Sequence, residues 1–208
     1  MPHGFLDIAA TPRVRAAQDV NGSGDYWAAF KGDRPSDRFT EAEIAFIVGR
    51  DSLFMATVSE SGWPYVQHRG GPPGFIRVLD DRTLAIADFR GNRQYISTGN
   101  LASNGRAALI LMDYPNRRRL KIYAHVEVRD LAANPELAAK LTLPGYRAKV
   151  ERGLVIHLAA FDWNCPQHIT PRFSEAELAP ALAPLRARLH ALESENVALH
   201  AELAAKGG

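Results

Sequence analysis

Hydrophobic and polar positions change period along the chain, and the changes divide it into elements. Thr40-Glu41-Ala42-Glu43 has the Thr-x-x-Glu form of a capping box, and Ile44, Phe46, Ile47 and Val48 follow it. That order predicts a short helix ending near Gly49. From Ser52 onward the period becomes two. Strands are expected over 53–58 and 65–69, joined by a turn at Ser61-Gly62. Gly70-Gly71-Pro72-Pro73-Gly74 breaks the pattern, and strands over 75–79 and 84–89 follow around Asp80-Asp81. A helix is expected over 92–101, then strands over 107–112 and 120–128. Asn134-Pro135-Glu136 opens another helix with proline at its first position, and 154–161 reads as a late strand. Short strands dominate and helices are inserted between them. The expected class is mainly β with helices (α+β), an antiparallel barrel and not a doubly wound sheet.

The clearest alternation lies in the strand after the arginine run. Leu120, Ile122, Ala124, Val126 and Val128 share one face, while Arg119, Lys121, Tyr123, His125 and Glu127 share the other. The ends of the chain differ from this middle. Residues 1–36 are rich in Gly, Pro, Asp and Arg and form an N-terminal arm. Within it Asn21-Gly22-Ser23-Gly24 is a turn or link, and Tyr26, Trp27 and Phe30 suggest a docked segment. Residues 37–173 form the main domain and 174–208 a C-terminal helix opened by Ser174-Glu175-Ala176-Glu177. Leu182, Leu189, Asn196 and Leu203 fall at one heptad position of that helix, and Leu178, Leu185, Leu192 and Leu199 at the other. Such a seam predicts a short coiled coil, with Arg188 at g facing Glu193 at e of a parallel partner. Packing on the barrel or an exposed helix are the other outcomes, and Pro180 and Pro184 place the regular helix from Leu185 onward.

Composition narrows the class. Of 208 residues, 46% are hydrophobic and 23% charged, which suits a folded globular chain. A net charge of +2 is too balanced to argue for a nucleic-acid partner. The apolar run 107–112 is far too short for a membrane span, and Met1-Pro2-His3-Gly4 lacks the features of a signal peptide. A cytoplasmic protein is expected. The single cysteine, Cys165, excludes an internal disulfide and is expected to be a small buried hydrophobe. His68, His125, His157 and His168 have no metal-ligand spacing, so no metal is expected.

Chemistry concentrates in Asp88-Phe89-Arg90-Gly91-Asn92-Arg93-Gln94-Tyr95. A strand ends there, Gly91 permits a turn, and Asn92 is placed to cap the helix that follows. Arg93 would then sit in the first helical turn, where the dipole favours an acid. A cation there makes sense if an anion such as a phosphate lies between it and the free backbone N–H groups. The plainer alternative is a surface arginine beside a loop. Gln67-His68-Arg69 ends an earlier strand, and Arg117-Arg118-Arg119-Leu120-Lys121 begins a later one. Three cationic patches at strand ends could converge on one phosphate, although an arginine triplet also suits a solvated turn.

These segments carry a resemblance. Gly62-Trp63-Pro64-Tyr65-Val66, FRGNRQYISTGNL (89–101), AALILMDYPNRRRLKIYAHVEV (107–128) and FDWNCPQHITPR (161–172) resemble the pyridoxamine 5'-phosphate oxidase-like family of FMN-binding split β-barrels. The resemblance implies a six- to seven-stranded antiparallel split barrel, a homodimer, and two FMN molecules at the subunit interface, each held by both chains. It places Gln67, His68 and Arg69 on the family's first flavin-binding strand, and Ala87, Asp88, Asn92 and Arg93 on its strand end and basic pair. Arg119 and Lys121 fall on the family's sixth strand, and Trp163 and Arg172 on its C-terminal flavin edge, with Gln167 closing the site. Arg69, Arg93 and Arg119 are assigned to the phosphate by this correspondence. Gln67, His68, Asp88 and Lys121 are assigned to the ribityl chain or ring edge.

The chain also departs from the true oxidases. Gln67 and Asn92 stand where they carry basic residues, and Cys165 to Arg172 replaces their Arg-Leu-His-Asp-Arg-like substrate segment. Pyridoxamine phosphate is therefore not the expected substrate. The implied activity is an FMN-dependent oxidoreductase, moving a hydride or electrons through flavin N5 to an unidentified small molecule. No Gly-x-Gly-x-x-Gly fingerprint is present, so NAD(P)H would act only as a transient reductant. The rival expectations are a non-catalytic flavin binder or sensor, a haem-binding or haem-degrading barrel, and a deazaflavin in place of FMN.

Overall fold

Alternating side chains place one face of each central strand in a shared core, and the ladder hydrogen bonds fix their register. The computed structural model describes residues 4–30, 36–163 and 165–206. They fall into two units, Met1–Asp113 with Arg117–Gln167 and Tyr114–Asn116 with His168–Gly208.

The first unit begins with three short helices, α1 (Phe5–Ala9), α2 (Pro12–Val20) and α3 (Gly24–Ala29), and continues through α4 (Glu41–Val48). Then come β1 (Ser52–Val58), β2 (Pro64–Gly70), β3 (Arg77–Val78), β4 (Thr83–Phe89) and α5 (Ile96–Ser103). The strands β5 (Arg106–Asp113) and β6 (Arg118–Arg129), the helix α6 (Pro135–Leu141) and the strand β7 (Val150–Trp163) complete it. All seven strands lie in one antiparallel sheet in the order β2-β1-β5-β6-β7-β4-β3. Among the described residues β2 and β3 are its edges and do not pair with each other, so this is an open, split barrel.

Leu53 and Met55 of β1, Leu109 and Leu111 of β5 and Leu120 and Ile122 of β6 point into the core, joined by Ile86, Ile156 and Phe161. Each side chain of this size contributes roughly 1.5–3 kcal/mol by leaving water. The capping box at Thr40 forms as the sequence predicts, with the Thr40 N–H donating to Glu43 Oε2 at 3.0 Å. The helix it opens buries Phe46 and Ile47 against the barrel. Close to β7, a Cβ on Gly153 would stand 3.0 to 3.2 Å from Leu141, Leu131 and Leu137. Only glycine lets α6 approach the start of β7 this closely.

Several boundaries differ from the sequence expectation. The helix expected over 92–101 begins at Ile96, and the strand expected over 75–79 is reduced to Arg77–Val78. Pro72 and Pro73 cannot donate to a ladder; Phe75 N–H instead closes a turn onto the Pro72 carbonyl, although Phe75 and Ile76 stay buried. The arm is helical on both sides of the expected turn: α2 has Pro12 at its first position with the Thr11 hydroxyl accepting from Val14 N–H, and Asn21-Gly22 then turns the chain, with Gly22 at φ 72°. Tyr26, Trp27 and Phe30 pack on one another; the arm meets the sheet through Phe5, stacked on Tyr123 at 4.6 Å between ring centroids.

The outer face of the sheet remains apolar across three strands. Phe54, Val58, Val66 and Ile110 are all exposed, and Phe54 lies opposite Ile110 in the β1–β5 ladder. The second unit is dominated by α7 (Glu175–Lys206), which runs without interruption through Pro180 and Pro184. Cys165 is exposed, contrary to the expectation of a buried thiol, because it follows the last strand instead of lying within it. No helix among the described residues is long and apolar enough to cross a membrane.

Candidate functional site

The end of β2, the end of β4, the loop after it and the start of α5 surround a cavity of about 300 Å³, at the lower bound of ordinary small-molecule sites. Its wall is held by a charged relay. Asp88, 8% exposed at the end of β4, forms an ion pair with Arg69 from β2. Its other oxygen lies 3.3 Å from Arg152 Nη1, reaching across from β7. Arg152 also donates to Thr98 Oγ1 at 3.0 Å and to Glu151 Oε2 at 3.1 Å. Gln67 Oε1 accepts from Ser97 Oγ at 3.0 Å and from Arg69 Nη2 at 3.4 Å, which ties β2 to α5.

A second cluster closes the rim. Arg90 Nε donates to Glu151 Oε1 at 2.8 Å, and the Tyr95 hydroxyl donates to the same oxygen at 3.3 Å. The hydrogen bond from Arg90 holds the Glu151 carboxyl below the usual carboxylate range, against desolvation that would raise it. The Arg90 guanidinium is correspondingly pushed up by the same bond. Arg152 stacks over the Tyr95 ring at 4.7 Å from its centroid.

Two cations are left with unused donors. Arg93 is exposed at the rim and meets no carboxylate among the described residues. Arg69 is paired through Nη1, yet its buried Nε has no hydrogen-bond partner among the described residues. A buried N–H without an acceptor costs about 1–3 kcal/mol unless a ligand supplies one. The backbone at the rim is unusual as well. Arg93 has φ 64° and Tyr95 φ 53°, both in the left-handed region that ordinary residues rarely adopt. Asn92 does not cap α5: its Oδ1 accepts from Gln94 N–H at 3.1 Å and makes a local turn. Left-handed residues cannot continue a right-handed helix, and so α5 starts after Tyr95 and Arg93 precedes its first turn.

Of the residues assigned from sequence, Gln67, His68, Arg69, Ala87, Asp88, Asn92 and Arg93 all line this cavity. Five others lie outside its lining. Arg119 and Lys121 leave the outer face of β6. Lys121 Nζ is 2.7 Å from Asp162 and 4.7 Å from the Phe5 ring centroid, while Arg119 keeps a buried Nε with no partner among the described residues. Trp163 donates its Nε1–H to the buried Glu43 at 2.7 Å and sets its edge against Phe46, which commits the indole to α4. Gln167 is exposed. Arg172 belongs to the second unit, 5.0 Å from the Tyr114 ring centroid of that same unit.

Sequence reasoning missed Arg90, Tyr95, Tyr146, Glu151 and Arg152. The first two lay inside the singled-out segment. Glu151 and Arg152 arrive because β7 begins four residues before its apolar run, and charged residues at a strand start give no periodic signal.

A family model described as pyridoxamine 5'-phosphate oxidase matches residues 39–152, more than half of the chain. No curated protein matches the chain. Solved structures with similar backbones include the HupZ protein of Group A Streptococcus at TM-score 0.47 and 17% identity, covering 65% of this chain and 99% of that one. An FMN-binding protein from Syntrophomonas wolfei is similar at TM-score 0.40 and 12% identity, over 71% of this chain and 97% of that one. General stress protein 26 of Bacillus anthracis gives TM-score 0.41 and 14% identity, over 63% and 93%. The matched span runs from Phe39, ahead of α4, to Arg152 at the start of β7 and takes in the whole relay around Asp88; the chain belongs to the pyridoxamine 5'-phosphate oxidase family.

Proposed function

We propose that this protein is an FMN-dependent oxidoreductase acting on a small molecule other than pyridoxamine phosphate. The observation that carries the reading is the pair of unused cationic donors at one cavity, the guanidinium of Arg93 and the buried Nε of Arg69. Charge-assisted hydrogen bonds from arginine suit a phosphate better than a neutral group. The donor set therefore fits the 5'-phosphate of FMN. When bound, FMN supplies a centre that takes up and releases a hydride.

The chain's own residues do the rest. Arg69 and Arg93 bind the phosphate, and the relay from Gln67 to Arg152 holds Arg69 in place. Tyr95, Tyr146 and Phe89 give the cavity aromatic surface that limits water. Missing counterparts of the oxidases' substrate segment speak against pyridoxamine phosphate, as does Gln67 in place of a basic residue.

The active form in this reading is a homodimer. Phe54, Val66 and Ile110 give the outer face of the sheet an apolar surface next to His68, whose ring lies 5.4 Å from Phe54 and also lines the cavity. Arg119 and Lys121 share that outer face, so pairing two such faces would bring them toward the partner's flavin.

Extraction of the cofactor from purified protein, followed by mass identification, tests the reading. FMN, with flavin absorbance near ~450 nm and reoxidation of NAD(P)H in the presence of quinones or nitro compounds, is the expected result. A haem Soret band or an extracted deazaflavin overturns the cofactor, and bound FMN with no turnover of any acceptor overturns the enzyme.

A further inference from the structure

The longest helix belongs to the second unit. α7 spans 32 residues, about 48 Å at 1.5 Å per residue, and none of its described side chains is buried. Helices of this kind gain most of their stability by covering an apolar face. The face is narrow: Leu185 and Leu203, each 67% exposed, lie in the two-position seam that repeats every seven residues. Packing on a sheet calls for a wider stripe, whereas a seam at positions a and d suits another helix. Pro180 and Pro184 fall at f and c, away from the seam, and the helix continues through both.

We propose that α7 pairs with α7 of a second copy of this chain as a parallel, in-register, two-stranded coiled coil. Charge complementarity names that occupant. In a parallel pair each g residue faces the e residue five positions later on the other helix. Arg188 then meets Glu193, Glu195 meets His200, and Arg186 meets only Ala181, so no like charges oppose each other. Asn196 fixes the orientation. It occupies an a position, and in a parallel pair it faces Asn196 of the second copy, where the two amides hydrogen-bond. An antiparallel pairing would set it against leucine and leave a buried amide unsatisfied. The inference is independent of the flavin reading, because it uses none of the residues assigned to the flavin.

Full-length protein with Cys165→Ser provides the background for a thiol test. Leu203→Cys places a thiol at an a position, where the two copies would stand side by side, and Ser194→Cys places one at f, facing outward. Under mild oxidation Leu203→Cys should form a disulfide-linked dimer at least about tenfold faster than Ser194→Cys, since the coil raises the local thiol concentration. Adding Leu189→Asp and Leu192→Asp should erase that advantage while cofactor content stays unchanged. Equal rates at the two positions overturn the proposal, and so does an advantage that survives the two aspartates. Loss of cofactor in the unsubstituted background would bear on the flavin reading and leave this outcome intact.

Discussion

Arg69 and Arg93 line the same cavity and are opposite in circumstance. Arg69 is held by Asp88 and Gln67, in a wall where Asp88 also engages Arg152. Arg93 stands at the rim in a left-handed conformation, exposed and without a carboxylate partner among the described residues. The difference teaches which cations the fold uses and which it keeps available. A buried arginine whose pairing is removed destabilises the chain, because an uncompensated charge remains in a poorly solvated place. An exposed, unpaired arginine contributes little to folding, which leaves it available for the phosphate proposed above.

The largest effect is expected at Asp88. Asp88→Ala strands Arg69 and Arg152 facing each other and should cost about 3–5 kcal/mol of stability in urea unfolding. A loss within about 0.5 kcal/mol, the range of ordinary surface substitutions, would show that the wall is not a relay at all. Arg93→Ala should behave in the reverse way. Its unfolding midpoint should match the parent, while FMN affinity measured on apo-protein falls about ten- to a hundredfold for the loss of charge-assisted bonds.

Glu151→Gln gives the smallest change and carries a pH signature. The folded carboxyl of Glu151 lies below its ordinary range, chiefly through the bond from Arg90. Its contribution is therefore complete above the usual carboxylate range and is lost as pH falls through the depressed folded value. Parent and Glu151→Gln should differ in thermal midpoint near neutral pH and converge in acid. A difference that widens on acidification would contradict the assignment.

The two arginines also mark how far the sequence could be read. β6 was legible residue by residue, since Leu120, Ile122, Ala124 and Val126 alternate with polar neighbours and all four are buried. The family domain and the cavity's Gln67-His68-Arg69 strand were legible for the same reason, combined with the resemblance. The rim was not. Nothing in the residue types of Arg93 or Tyr95 announces positive φ, which Arg117 and His168 also adopt beside glycines such as Gly62 at the β1–β2 turn. Asn92 was read as a helix cap, and its side chain serves an equally local turn whose sequence signal is the same. Trp163 was assigned to the flavin edge by the resemblance, and its indole hydrogen-bonds to the buried carboxylate of Glu43. Such a pairing spans 120 positions of sequence, and no periodicity reports it.

Phosphate binding by Arg93 is the central proposal, and calorimetric titration of apo-protein with FMN and with riboflavin isolates that one group. The parent should bind FMN at least about tenfold more tightly than riboflavin, and Arg93→Ala should lose most of that preference while its riboflavin affinity stays the same. Equal affinity of the parent for the two ligands, or a full preference retained in Arg93→Ala, would contradict the account.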